Sequence, residues 1–147
     1  MQITAKYPYA ITALFLWVGF VGAISFMEAW LKFRAPGITL PLGLGIGRIV
    51  FGALNKVEWV LAVVVVCNFL FTGGRPSAGK IVLFAIPVVL LALQTFRILP
   101  LLDARAELYI AGAEVPPSNL HFYYVGMETV KVVCLFALGW ILLKIPS

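Results

Sequence analysis

The sequence has few charged residues for its length, and this shortage excludes several classes of protein. Only 12% of its 147 residues are Asp, Glu, Lys or Arg, about half the fraction usual in soluble domains. A chain this apolar is neither a water-soluble domain nor a disordered one. Its net charge of +5 is not gathered into a basic run or stripe that could follow a phosphate backbone, so we expect no nucleic-acid partner.

Histidine and cysteine are also scarce, which restricts the chemistry that the chain can perform. His121 is the only histidine, and the two cysteines, Cys67 and Cys134, lie inside apolar runs. This set does not suit a zinc site built by the protein alone, a disulfide framework, or a nucleophile paired with a histidine base. We therefore predict no catalytic residues, no metal site and no cofactor, and we favour a non-enzymatic role.

Apolar residues, in contrast, are abundant: they make up 63% of the chain, and the mean hydropathy is +1.05. Four stretches provide the roughly 20 apolar residues that a membrane-spanning helix needs, at about 9–31, 51–71, 80–99 and 121–143. The valine-rich part of the second stretch would favour a strand in water, but an open strand leaves its backbone groups unsatisfied in lipid. We predict an all-α fold in which residues 1–147 form a single integral membrane domain, a four-helix transmembrane bundle in the lipid bilayer.

Prolines, glycines and polar residues predict where the spans end. Pro36 and Gly37 are expected to end the first helix. The segment 40–55 is rich in glycine and has Arg48 in its middle, which favours an interfacial or re-entrant segment before the second helix. Residues 100–110 are polar enough to lie outside the membrane at the end of the third span.

The distribution of positive residues favours one orientation of the chain. An even number of spans places both chain ends on the same side of the membrane. That side holds Lys6, Arg75, Lys80 and Lys144, and the other side holds Lys32, Arg34 and Arg105. Because positive residues are enriched in cytoplasmic loops, we expect both termini to be cytoplasmic.

Polar side chains within the predicted spans are candidates for a functional site, because each ionisable group costs about 2.5–3.5 kcal/mol to insert. At a rise of about 1.5 Å per residue, nearly all of them fall in the half of the bilayer away from the chain ends. This distribution predicts a polar half-cavity, open toward the loops at 32–50 and 100–120. Its candidate lining residues are Glu28, Asn55, Lys56, Glu58, Gln94, Arg97, His121, Tyr124, Glu128 and Lys131.

The predicted fourth span carries four of these residues on one face. His121, Tyr124, Glu128 and Lys131 fall within an arc of about 80°, at about 100° per residue. We expect this stripe to face the bundle interior, where water can reach it, rather than lipid. Glu128 and Lys131 are three residues apart and can form an ion pair along the helix.

Matching depths also predict two ion pairs between helices, Glu58 with Arg97 and Glu28 with Lys56. Three interpretations of these charges stay open, and one of them is a redox or metal site. They can simply hold the four helices together or reach the headgroups, with His121 a hydrogen-bonded cap or interface residue. Alternatively, they line a water-accessible site in which His121 gates or relays protons.

Several short segments of the chain resemble one family of membrane proteins. They are FMEAWLKFRAPG at the end of the first span, the glycine-rich segment before the second, ILPLLDARAELYIAG after the third, and NLHFYYVGMETVK at the start of the fourth. They are similar to the small four-helix bacterial membrane proteins described as a domain of unknown function, which distantly resemble copper-resistance D-like membrane proteins. In that family a proline follows the first span and a Leu-His pair opens the last, as Pro36 and Leu120–His121 do here.

The resemblance implies a four-helix fold and, because the family is bacterial, a place in the inner (plasma) membrane. The same neighbourhood of families includes the four-helix protoporphyrinogen oxidases of bacteria, which carry a histidine in the first span. This chain has no histidine there, which argues against a haem enzyme. A haem held by two histidines would also need a second copy of the chain.

The function that the sequence favours is the binding or movement of a small polar or ionic solute through the polar half-cavity. Two alternatives stay open: a haem- or quinone-linked membrane oxidoreductase, and an accessory subunit of a larger membrane complex. The partners are open in the same way, between a homo-oligomer and a membrane complex. The residues do not indicate which solute is bound.

Overall fold

The computed structural model describes residues 5–73 and 75–144, and every regular element in these ranges is a helix. Four helical runs are long and apolar enough to cross a membrane. We name them span 1 (Pro8–Arg34), span 2 (Leu40–Phe71), span 3 (Ala78–Ile110) and span 4 (Leu120–Leu143). The predicted all-α four-helix fold is confirmed, and the chain is an integral membrane protein.

Spans 1 and 3 each change helix type in the half of the bundle away from the chain ends. Span 1 is an α-helix over Pro8–Val21, a π-helix over Gly22–Glu28, an α-helix over Ala29–Leu31 and a 3₁₀ turn over Lys32–Arg34. Span 3 is an α-helix over Ala78–Leu93, a π-helix over Gln94–Ile98 and an α-helix over Leu99–Ile110. A π turn forms hydrogen bonds from residue i to i+5 and so accommodates more residues than an α turn. It therefore changes which residues share a face of the helix.

Span 2 is continuous, so the glycine-rich segment forms its first turns. Thr39 caps this end because its hydroxyl accepts a hydrogen bond from the backbone N–H of Leu42 at 3.4 Å. The glycines allow close packing here, since a Cβ atom at Gly43 would collide with the ring of Phe33. These contacts correct the predicted start of the helix at about residue 51 and replace the re-entrant segment with regular helix.

The structure also shows where spans 1 and 3 end. Span 1 stops before Pro36 as predicted, and Gly37 turns the chain with a φ of 83°, a conformation that glycine adopts without strain. Span 3 does not stop at about residue 99 but continues as a helix to Ile110. Pro100 is tolerated because it lies in the first turn of the last α-helical segment, where a missing N–H costs little.

Apolar packing closes the half of the bundle that holds the chain ends. Trp17 from span 1, Val65 from span 2, Leu91 from span 3 and Leu138 from span 4 are each 0% exposed. They belong to one continuous hydrophobic cluster. The polar groups of the four spans therefore lie between the centre of the bundle and its other end.

Candidate functional site

Three charged side chains meet in the centre of the bundle, and we name them the charged cluster. Glu58 comes from span 2, and Glu128 and Lys131 come from span 4. The Lys131 ammonium lies 2.6 Å from Oε1 of Glu128 and also forms an ion pair with Oε2 of Glu58. All three side chains are 0–1% exposed, so the cluster is held within the protein rather than at its lipid-facing surface.

Neutral donors from spans 1 and 3 complete the hydrogen bonding of the two carboxylates. The indole Nε1 of Trp17 donates to Oε2 of Glu58 at 2.6 Å. The hydroxyl of Ser25 donates to Oε2 of Glu128 at 2.8 Å, and Nε2 of Gln94 donates to Oε1 of Glu128 at 2.6 Å. All four spans therefore contribute to the site.

The charges of the cluster do not balance. With every group ionised, two carboxylates and one ammonium give a net charge of −1. A charge without a counter-charge is expensive to bury. The three neutral donors lower that cost but do not supply a positive charge, so the cluster has an affinity for one further positive charge.

Both π-helical segments lie at this cluster. Ser25 belongs to the π-helix of span 1 and Gln94 begins that of span 3. Each donates to Glu128, although Ser25 and Glu128 are 103 residues apart in the chain. Wide turns of this kind occur often at functional sites, and here they bring two neutral donors to the same carboxylate.

A second polar network lies beside the cluster and is centred on Thr95. Its hydroxyl oxygen accepts hydrogen bonds from Nδ2 of Asn55 at 2.9 Å and from Nε1 of Trp59 at 3.0 Å. The hydroxyl also donates to the carbonyl of Leu91 at 2.7 Å. The predicted candidate Asn55 therefore holds spans 2 and 3 together and does not contact the charged cluster.

A cavity of about 440 Å³ lies between the cluster and the end of the bundle formed by the 32–50 and 99–106 segments. Most of its wall is apolar, with the rings of Phe33 and Phe51 facing Leu99 and Leu102. A small number of polar groups on an apolar wall is typical of sites for small ligands. The polar lining residues are Lys32, Arg48, Thr95, Asp103 and His121.

Two side chains connect this cavity to the charged cluster. The ring of Phe51, which lines the cavity, packs edge-on against the ring of Tyr124 with their centroids 5.2 Å apart. Tyr124 is 3% exposed, and its hydroxyl lies near that of Ser25. Because Ser25 donates to Glu128, neighbouring hydroxyl groups lead inward from Tyr124 to the charged cluster.

Ion pairs form part of the cavity wall, through Lys32, Arg48 and Asp103. Nζ of Lys32 lies 3.2 Å from Oε2 of Glu28. The guanidinium of Arg48 forms a two-point ion pair with Asp103, in which Nη2 donates at 2.9 Å, and also donates to Glu107 at 2.8 Å. Arg48 thereby ties the first turns of span 2 to the last turns of span 3.

The structure brings some of the predicted candidates together. Glu58, Gln94, Glu128 and Lys131 form the cluster with its neighbours, and the predicted pair of Glu128 with Lys131 is present. Tyr124 and Glu128 were predicted to line the cavity. They do not line it, because the Phe51 ring lies between the cavity and Tyr124. His121 does line the cavity, with its side chain exposed.

The two predicted ion pairs between helices are wrong. Glu58 pairs with Lys131 instead of Arg97. In an α-helix Arg97 would share the face of Gln94 three residues earlier, but the π turn rotates it outward, where it is exposed.

Helix geometry explains the other wrong pair as well. Glu28 pairs with Lys32, one turn later in span 1. Lys56 is exposed because Glu58, two residues further along the same helix, faces inward, and positions two apart lie on different faces. Neither Lys56 nor Arg97 makes an ion pair within residues 5–73 and 75–144.

Sequence reasoning missed five residues of the site: Trp17, Ser25, Lys32, Arg48 and Thr95. Trp17 is not a candidate in the sequence analysis, although an indole N–H that is buried needs an acceptor. Ser25 could have been identified from the sequence, since it is the only hydroxyl residue between positions 20 and 34.

Among the described residues, no three His, Cys, Asp or Glu side chains are grouped as metal ligands.

Comparison with known proteins identifies no relative of this chain. No protein-family model, no curated protein and no solved structure matches the chain. The resemblance to copper-resistance D-like membrane proteins therefore stays a prediction, and the site is interpreted from its own chemistry.

Proposed function

We propose that this integral membrane protein binds or moves a small polar or ionic solute through the cavity at the end of the bundle. The solute enters past the ion pairs of Lys32 and Arg48, and its path ends at the charged cluster. The observation that carries this proposal is the buried cluster of two carboxylates and one ammonium behind that cavity. Because the cluster lacks one positive charge, it attracts a cationic solute.

A purely structural role explains this arrangement less well. Helices can be held together by apolar packing, and replacing a buried ion pair with apolar residues is often neutral or stabilising. Even a structural ion pair needs only one acid for each base. Here Glu128 is added to the pair of Glu58 and Lys131, and it needs Ser25 and Gln94 as further donors.

Thiol labelling tests whether water and solutes reach the cavity. Cys67 and Cys134 are first replaced with alanine, and cysteine is then introduced at Gly52 or Thr95, which both line the cavity. A Cβ atom at Gly52 meets no other atom within 4 Å, so this substitution fits the structure. We expect a membrane-impermeant thiol reagent to label both positions from one side of the membrane only.

The matched control is Gly19→Cys. A Cβ atom at Gly19 also meets nothing within 4 Å, but this exposed position lies on the apolar first span and faces lipid. It should stay unlabelled in membranes and react after denaturation. If Gly52→Cys and Thr95→Cys behave like the control, the cavity is dry and the cluster has a structural role.

A further inference from the structure

Building on the proposed function, we infer that the ion taken up by the charged cluster is a proton. The cluster needs one positive charge to become neutral, and the site must have room for whatever supplies it. The geometry of the oxygens and of Lys131 decides between a proton and a metal cation.

The place that a metal cation would occupy is already taken. Nζ of Lys131 lies between Oε2 of Glu58 and Oε1 of Glu128. The same two oxygens also accept hydrogen bonds from Trp17 and Gln94. Cations such as Ca²⁺ and Mg²⁺ need about six or more oxygen ligands, so a metal ion would have to displace the ammonium and several donors.

A proton needs only one lone pair, and the cluster offers one. The hydrogen bonds that Glu58 accepts from Trp17 and Lys131 both go to Oε2, so these two donors leave the lone pairs of Oε1 available. Oε1 of Gln94 is buried without a partner, so it can accept from a carboxyl O–H or from a water molecule. On uptake a hydronium ion gives up its proton and becomes water, an O–H bond forms at one carboxylate oxygen, and the charge of the cluster changes from −1 to zero.

The groups around the cluster also suit proton exchange with the cavity. They are Trp17 and Ser25 from span 1, Glu58 from span 2, Gln94 from span 3, and Tyr124, Glu128 and Lys131 from span 4. The hydroxyls of Tyr124 and Ser25 can each accept and donate a hydrogen. They lead from Glu128 as far as the Phe51 ring, which separates Tyr124 from the cavity, whereas the opposite side of the cluster is closed by the apolar core.

Infrared difference spectroscopy on the full-length protein in lipid vesicles tests this inference. The carbonyl stretch of a protonated carboxyl group is recorded across the pH range in which the protein stays folded, and is identified by its shift in D₂O. In Glu58→Gln or Glu128→Gln the remaining acid and Lys131 balance, so the cluster has no need of a proton. We expect either single substitution to abolish the cluster's signal and the double substitution to remove no more than either one alone.

Glu28→Gln is the matched control, because Glu28 pairs separately with Lys32. Combined with Glu58→Gln, it should remove the sum of the two single losses. Adding NaCl or CaCl₂ at constant pH should leave the signal of the wild-type cluster unchanged. Both single variants keep a balanced pair of charges and are expected to fold, which circular dichroism checks.

Three outcomes would overturn the inference: no cluster signal in the wild type, losses from Glu58→Gln and Glu128→Gln that add independently, or a signal removed by added salt. The last result would identify a metal cation as the ion. Thiol labelling at Gly52 and Thr95 distinguishes this failure from failure of the proposed function. A labelled cavity without cluster protonation retains the solute pathway, whereas protonation behind an unlabelled cavity contradicts the pathway.

Discussion

Lys131 is the single residue on which the centre of the bundle depends most. Its ammonium forms ion pairs with carboxylates on two different helices, Glu58 and Glu128. Removing one partner of a buried ion pair leaves an uncompensated charge and costs about 3–5 kcal/mol. The loss is largest at Lys131 because both carboxylates then lose their counter-charge.

A double-mutant cycle tests this pairing. Lys131→Met alone is expected to lower the free energy of unfolding by about 3–5 kcal/mol. Adding Glu58→Gln to Lys131→Met should cost less than the sum of the single changes, because it removes one of the stranded carboxylates. The measurement is unfolding in mild detergent, followed by circular dichroism.

Arg97 provides the control for this cycle. It is exposed and lies on the far face of a π turn, so Glu58→Gln and Arg97→Gln should add to within about 0.5 kcal/mol. Coupling between Glu58 and Arg97 that exceeds the coupling between Glu58 and Lys131 would contradict the observed pairing.

The residues of the cluster and the pair of Glu128 with Lys131 were predictable from the sequence, but the pairs between helices were not. Depth along regular helices places Glu58, Gln94, Glu128 and Lys131 at one level, and the structure brings them together. Depth does not determine the direction of a side chain when a π turn intervenes, which is why Arg97 was paired wrongly.

At the scale of helices, glycine positions decide how closely two spans approach. Gly139 of span 4 is buried against span 1, and the ring atom Cζ of Phe15 lies 3.0 Å from the place of a Cβ atom. Gly126, on the same helix, is exposed and has no atom within 4 Å of that place. The two glycines therefore differ in packing while sharing a helix.

Substituting leucine at these positions should separate the two effects. Gly139→Leu is expected to destabilise the protein by about 1–3 kcal/mol, because the extra atoms push spans 1 and 4 apart. Gly126→Leu should leave stability unchanged or raise it by up to about 1 kcal/mol, since leucine favours a helix more than glycine does. Thermal unfolding of both variants in the same detergent makes the comparison, and equal losses would contradict this packing.

The existence of the helices could be predicted, whereas two of their ends could not. Apolar runs of sufficient length predict four spans whatever the sequence of the loops. The additional turns of spans 2 and 3 depend on contacts made only in the fold, such as the ion pair of Arg48 with Asp103 and the packing of Gly43 against Phe33. No local pattern near position 40 or position 110 reports those contacts.

The molecule as a whole has two unlike halves. The half with the chain ends is packed with apolar side chains, and the other half contains the cavity and its ion pairs. The charged cluster lies at their boundary and is connected through Tyr124 to the cavity side. In this conformation, the proposed exchange between the cluster and water would therefore take place from the cavity side only.

Reporter fusions test the topology on which this asymmetry depends. Four spans require both termini on the same face of the membrane, with the 35–38 and 112–118 connections on the opposite face. A reporter active only in the cytoplasm should give the same result at the N-terminus and the C-terminus and the reverse result in the two connections. Termini on opposite faces would mean that one of the four helices does not cross the bilayer.

Because the helices differ in length, we expect their position in the membrane to depend on the thickness of the bilayer. Spans 2 and 3, with 32 and 33 residues, are about 48–50 Å long, whereas span 4, with 24 residues, is about 36 Å long. The hydrocarbon core is about 30 Å thick, so the long pair projects or tilts, and Arg48 joins its two ends beside the cavity mouth. A thicker bilayer would submerge these charges, and the hydrophobic mismatch would be relieved by tilt or local thinning. The acyl-chain length of the surrounding lipid therefore becomes a control on entry to the cavity.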